Sequence, residues 1–278
     1  MNKQLPLLSL AILLLFSCKQ KSIDIHEDDI LCKITSHTEN ATVENGKETF
    51  ISANIDSQNN TIKNVSFYFN GVLIDSVKNA PYELRDTISN FLPGKSVISV
   101  VATSASGKEY KDEINVNFKI NLRDRYQGGR VFKLSEDGKH GLIVSEEDME
   151  GGTLFGKFLY DGSNKRITAA TNMGDGKANT QSFVKQYSSS ETAYAAIACN
   201  NYRGGGYKDW YLPSHDELAI LANFSDLMGE LSFDNYRFWS STEAMLEIDS
   251  AYALDLETSE MILIKKVYLL RARAIRQF

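Results

Sequence analysis

Cysteine, proline, histidine and tryptophan are scarce in this 278-residue chain, which has three, four, four and two of them. Cys18, Cys32 and Cys199 are too few and too widely spaced for a disulfide framework. Cys32 and Cys199 are therefore expected to be free thiols, with Cys199 acting as a small buried residue. Positive charge is not in excess: the formal net charge is −6, and no basic patch or stripe runs along the chain. That excludes the electrostatic footprint of a nucleic-acid binder. Beyond residue 16 no apolar run approaches the roughly 20 residues needed to cross a bilayer.

What is present begins at the N-terminus. Lys3 precedes an apolar run over 5–16, and Ser17-Cys18 follows it. This is the layout of a secretory signal, and about 12 apolar residues are too few for a membrane span. Leu15-Phe16-Ser17-Cys18 resembles a bacterial lipobox, which implies cleavage after residue 17 and a diacylglycerol thioether on Cys18. The expected partner of that residue is the membrane. Residues 18–30 then read as a solvated, lipidated tether. Lys19 stands where an aspartate would resemble an inner-membrane retention signal, so the expectation is an outer-membrane lipoprotein. Whether it faces the periplasm or the surface is left open.

From 31 to 120 the chain is a succession of short β patterns at 49–55, 65–69, 72–77, 97–102 and 114–118. Alternation at period two, as in Val65-Ser66-Phe67-Tyr68-Phe69, buries one face of each strand. Phe67 and Phe69 are thus expected inside, instead of forming an aromatic platform with Tyr68 and Tyr82. Asn45-Gly46, Asn70-Gly71, Pro93-Gly94 and Ser106-Gly107 supply the backbone conformations of tight turns. Strands at this spacing predict a β-sandwich. On Val65 to Gly71, Ala80-Pro81-Tyr82, Gly94 and the stretch 102–107, the segment resembles bacterial Ig-like domains. The resemblance implies an Ig-like fold, commonly a spacer, here without an inter-sheet cysteine pair.

After Asn121-Leu122-Arg123-Asp124-Arg125 the composition shifts towards glycine, and a second domain is expected over 122–278. The segments 128–134 and 140–145 read as a hairpin turning at Asp137-Gly138, with His140 in its second strand. Residues 146–178 are loop-rich. A first helix is expected over 180–201, broken at 188–190 and capped by Asn179 or Thr180, with Gly174-Asp175-Gly176-Lys177 as a turn before it. A second begins at Ser214-His215-Asp216-Glu217, which has capping-box spacing, and presents Leu218, Leu221 and Phe224 as an apolar stripe. Strand patterns at 237–242, 250–256, 261–265 and 267–276 close the chain. Helices between antiparallel strands predict an α+β fold.

Gly128-Gly129-Arg130-Val131-Phe132, the stretch 176–180, the run from Gly206 through Trp210 to Leu218, Phe238-Trp239-Ser240-Ser241-Thr242-Glu243 and the stretch 271–276 occur in that order. Together they resemble the collagen-like adhesin C-terminal domain family. The resemblance implies a C-type-lectin-like fold related to the formylglycine-generating enzymes. A copper oxidase of that kind would need two cysteine thiolates, and only Cys199 lies in the domain. His140 and His215 read as structural residues, so no enzyme, no cofactor and no catalytic residue is expected. The calcium motifs of sugar-binding lectins are missing as well: Trp210 and Trp239 are followed by Tyr211 and Ser240, and none of Pro6, Pro81, Pro93 or Pro213 lies in the required context. Any metal role would fall to unrecognised oxygens such as those of Glu146, Glu147, Asp148 and Glu150, which read more simply as a solvated loop.

Trp210 and Trp239 are expected in the core. Arg271, Arg273 and Arg276 either pair with acids such as Asp209, Asp216 or Glu243, or form a local cationic face for sulfated or carboxylated glycans, as some family members resemble glycosaminoglycan-binding adhesins. The candidate ligand residues are Tyr202, Arg203, Tyr207 and Lys208, which combine stacking surface with donors beside the flexible Gly204-Gly205-Gly206 turn. The expected protein is a lipid-anchored envelope or surface binding and adhesion protein, its lectin-like domain recognising a glycan or protein ligand. The alternative is a structural or assembly component of the envelope or of a surface appendage. The sequence leaves the oligomeric state open.

Overall fold

The computed structural model describes residues 30–57, 60–149, 153–156, 174–187, 194–228 and 237–278. The expected signal segment, Cys18 and most of the tether lie outside them, as do Glu150, the break at 188–190 and much of the loop-rich stretch.

The first half is two β-sheets. One has the order β1-β3-β6 and the other β2-β8-β7-β4-β5, where β1 is Leu31–Ile34, β2 Ala41–Glu44, β3 Lys47–Asp56, β4 Ile62–Phe69, β5 Val72–Val77, β6 Glu83–Ile88, β7 Gly94–Ser104 and β8 Glu109–Lys119. All pairings are antiparallel except β2 with β8. The expected alternation holds: Val65, Phe67 and Phe69 of β4 and Ile98, Val100 and Ala102 of β7 are sealed from solvent. They join a core shared with Ile34 of β1, Ile51 of β3 and Leu84 and Ile88 of β6. Burying a side chain of this size contributes about 1.5–3 kcal/mol. Phe69, Phe91 and Phe118 close one end of the sandwich, with ring centroids 4.7 to 6.0 Å apart. Asn70 and Gly71, both at positive φ, make the two-residue turn between β4 and β5.

Among the described residues the second half has two further antiparallel sheets and three α-helices. Strands β9 (Arg125–Tyr126), β10 (Gly129–Leu134), β11 (Gly141–Ser145) and β15 (Ile275–Gln277) form one sheet in the order β15-β11-β10-β9. Strands β12 (Arg237–Glu243), β13 (Ser250–Asp255) and β14 (Glu260–Lys265) form the other. The helices are α1 (Asp175–Tyr187), α2 (Ala195–Asn201) and α3 (His215–Leu221). The capping box of α3 is complete: Ser214 accepts from the Glu217 backbone N–H, and Glu217 accepts from that of Ser214. Trp210 and Trp239 are both buried, and Trp239 donates to the Thr153 carbonyl at 2.9 Å.

Four expectations need correction. Helix α1 starts at Asp175, because Gly176 is its close-packing residue and not part of a preceding turn. A Cβ there would come within 2.3 Å of the Glu217 carboxylate. Asn179 and Thr180, read as caps, instead face inward on α1, where Asn179 donates to Ser241 and Thr180 receives the Leu212 backbone N–H. The stretch 267–276 is not one strand. Its backbone bonds in turn to Thr153, Arg237, Trp239, Met149, Ser145 and Tyr211, so only Ile275–Gln277 enters a ladder. His140 lies exposed in the turn before β11 and not within the strand.

Candidate functional site

Gln127 and Gly128, at φ +48° and +86°, make the tight turn between β9 and β10. A Cβ on Gly128 would lie 2.3 Å from the Gly205 backbone nitrogen. Only glycine lets the Gly204–Gly206 turn close over the hairpin in this way. Trp210 pins that turn by donating from its indole nitrogen to the Gly204 carbonyl at 3.0 Å, and the Tyr202 ring meets Trp210 edge-on at 5.0 Å. The core tryptophan thus fixes the loop that carries the predicted ligand residues.

The Ig-like half stands opposite. Buried Asn45, in the turn between β2 and β3, donates to the Arg125 carbonyl at 2.9 Å and accepts the Asn90 backbone N–H at 3.1 Å. Asn90 in turn accepts the Gln127 backbone N–H at 3.0 Å. The two asparagines therefore clamp the two halves together. Between them and the Gly204–Gly206 turn opens a groove of about 920 Å³, with Lys47 and Thr87 on the Ig-like side and Arg125, Arg130, Glu146 and Tyr202 on the other. Its arginines are paired: Arg125 and Arg130 share Glu146 at 2.9 and 3.6 Å, and Arg123 binds Asp226 at 2.9 Å. Burial, then the charges of Glu147 and Glu146, push the Tyr202 hydroxyl above its ordinary pKa, so it stays a neutral donor.

Of the four predicted ligand residues, only Tyr202 lines this groove. Arg203 is exposed and turns back on its own loop, donating to the carbonyls of Asn200 and Tyr202. Tyr207 is half-buried beneath the Arg276 guanidinium, 3.8 Å from its ring centroid. Lys208 is exposed. The groove residues Asn45, Lys47, Asn90, Arg125 and Arg130 were missed. The signals there were Asn45-Gly46 and the charged run 121–125, and both read as connections.

The arginines of 271–276 are committed to structure, so the cationic-face alternative is corrected. Arg271 and Arg273 bind Asp148, and Arg276 binds Asp209 and Gln127. Among the acids proposed as partners, Asp216 instead contacts His215, and Glu243 forms a buried pair with Lys266. Both remaining cysteines are buried free thiols. Burial, with the Asp112 charge, pushes the Cys32 pKa up to about 11. Burial raises that of Cys199 as well. Neither is a thiolate at neutral pH. Among the described residues no three His, Cys, Asp or Glu side chains stand together as metal ligands, and no helix is long and apolar enough to cross a membrane.

Residues 32–100 match the family described as the bacterial Ig domain. The first half is an Ig-like domain. No curated protein matches the chain. Among solved structures, the fibronectin(III)-like modules of Clostridium thermocellum CbhA are 24% identical, over 32% of this chain and 98% of that one, with a TM-score of 0.30. The endo-beta-1,4-mannanase of Thermotoga petrophila is 14% identical, over 36% of this chain, at a TM-score of 0.28. The beta-glucuronidase of Parabacteroides merdae is 17% identical, over 46%, at 0.27. The chain spans only 21% and 18% of those two enzymes. At TM-scores this low the likeness says nothing about activity.

Proposed function

We propose that this chain is a lipid-anchored envelope protein whose Ig-like domain carries a C-type-lectin-like domain that recognises a glycan or a protein partner, without catalysis. The observation that carries this reading is the Tyr202 to Gly206 loop, held rigid by Trp210 and opening onto a groove. Loops on a rigid scaffold are where recognition residues concentrate. The five ordered motifs of the second half support the lectin-like assignment, as does the arrangement in which its first and last strands share one sheet through β11. The lipobox supports anchoring through Cys18, on the outer membrane.

The test is a glycan array probed with the full-length, detergent-extracted protein. Tyr202→Phe, which keeps the ring on Trp210 and removes the hydroxyl from the groove, is expected to weaken any hit without lowering the melting temperature, whereas Arg203→Ala and Lys208→Ala, exposed and outside the groove lining, are expected to leave it unchanged. Full affinity in Tyr202→Phe, or a loss confined to the other two, moves the site off the groove. An array with no hit favours the alternative, a structural or assembly component. Metabolic labelling with an alkynyl fatty acid checks the anchor, and equal labelling of wild type and Cys18→Ser refutes it.

A further inference from the structure

We infer that the groove between the halves is a composite site for a short, uncharged oligosaccharide, and that the Ig-like domain supplies one wall of it and is not merely a spacer. This rests on the binding role proposed above and goes beyond it in ligand class and in location.

The groove's volume of about 920 Å³ lies near the upper end of small-ligand sites, which run to roughly 1,000 Å³. That is room for a few sugar rings and too little for a folded partner. Its position is held because Asn45 and Asn90 bridge the halves at both ends of the β9 strand. The same bonds close the site to an extended peptide. The Arg125 carbonyl and Gln127 N–H at the free edge of β9 are already taken by asparagine side chains, so no backbone ladder is open there.

The charge pattern selects the ligand. Arg125 and Arg130 share Glu146, Arg123 pairs with Asp226, and Lys47, Asp124 and Glu147 also line the groove, so four cations stand among four carboxylates. An anionic ligand would meet Glu146 and Glu147, a cationic one the arginines, and neither gains net attraction. A hydroxyl can use both members of an Arg–Glu pair at once, accepting from the guanidinium and donating to the carboxylate. Thr87 offers a further hydroxyl from the Ig-like side, and Tyr202 a ring edge and a neutral phenol. Gly128, Gly129, Gly204 and Gly205 also line the groove, where their lack of side chains lets the two turns pack directly on each other and fixes its shape.

The experiment uses the full-length protein with short neutral gluco- and manno-oligosaccharides, beside sulfated and uronate-bearing ones of the same length. Neutral chains are expected to bind, with an affinity that changes little as salt rises. Thr87→Trp, which fills the groove from an exposed strand position, and Lys47→Ala are each expected to weaken binding about tenfold at an unchanged melting temperature. Neutral binding unaffected by both variants overturns the composite site and leaves the broader binding role standing. Binding confined to the charged chains overturns the ligand class alone. Absence of any oligosaccharide binding overturns both this inference and the glycan branch of the proposed function.

Discussion

In the Ig-like half Val65, Phe67, Ile98 and Val100 are fully buried, and among the described residues of that half no charged side chain joins them. In the second half Glu217, Glu243, Asp255, Lys266, Arg273 and Arg276 are buried beside Trp210 and Trp239. The difference follows from how each half satisfies its backbone. Long ladders such as β7 with β8 pair their own N–H and C=O groups, so alternation leaves a mainly apolar face with small hydroxyls such as Ser96 and Ser104 and no charge to accommodate. The second half has short strands and crossing segments whose carbonyls and caps need side-chain partners. Glu217 shows this: its carboxylate receives the N–H groups of Gly174 and Ser214 and the Tyr211 hydroxyl.

The largest effect that separates the halves is expected from truncating an aromatic in each. Trp239→Ala removes a ring packed on Phe155 and one of the two donors to the Thr153 carbonyl, the other being the Leu270 N–H, and Phe67→Ala empties the sandwich core. Each should cost about 3–5 kcal/mol. Calorimetry of the full chain should show two transitions, each variant lowering its own. One transition that moves for either variant would break the comparison.

A smaller effect tests the buried charges directly. Lys266 also donates to the Ile248 carbonyl and lies over the Phe155 ring, and Lys266→Met takes from buried Glu243 its cationic partner. The loss should be about 3 kcal/mol. The double variant with Glu243→Leu should recover much of it in urea unfolding. If the double variant is as unstable as the single, the pair is not what the site depends on.

Asn45→Ala is expected to cost about 2 kcal/mol through two lost hydrogen bonds. It should also admit protease between the halves. Ser214→Ala should cost about 1 kcal/mol by removing the α3 cap, with loss confined to the second half.

The weakest lever is acid. Burial raises the Asp255 pKa, but the Arg237 guanidinium and the backbone N–H of Glu257 outweigh it, and the carboxyl sits below its ordinary 3.8. A depressed carboxylate stabilises the fold above its unfolded pKa, and that contribution fades as pH falls below 3.8. Wild type and Asp255→Asn should therefore differ at neutral pH and converge in strong acid, with the Ig-like transition unmoved. The effect is small because Arg237 is 52% exposed.

Much of the first half was legible because its signals are local. Period-two alternation marked β4, β5 and β7, and Asn70-Gly71 marked their turn. β1, β2 and β6 were not read: they are short or, like Glu83–Ile88, carry charges along an exposed edge. In the second half the capping box at Ser214 and the buried tryptophans were legible for the same local reason. The start of α1 was not, since Gly176 serves a contact with Glu217, 41 positions away in sequence and invisible to spacing.

The candidate site divides the same way. Sequence alone picked out Tyr202 beside the triple glycine, because a stacking side chain next to a flexible turn is readable within a few residues. Its groove draws on Lys47, Thr87, Arg125 and Glu146, which share no period and no motif. Composition and alternation by themselves determined a β-sandwich, a scarcity of thiol and imidazole chemistry, and aromatic cores. Only the tertiary structure decided that Asn45 spans the halves, that the arginines of 271–276 bind Asp148 and Asp209, and that Arg203 and Tyr207 do not line the groove. Burial patterns are set by each residue's neighbours along the chain, whereas charge pairing and cavities are set by which distant segments meet.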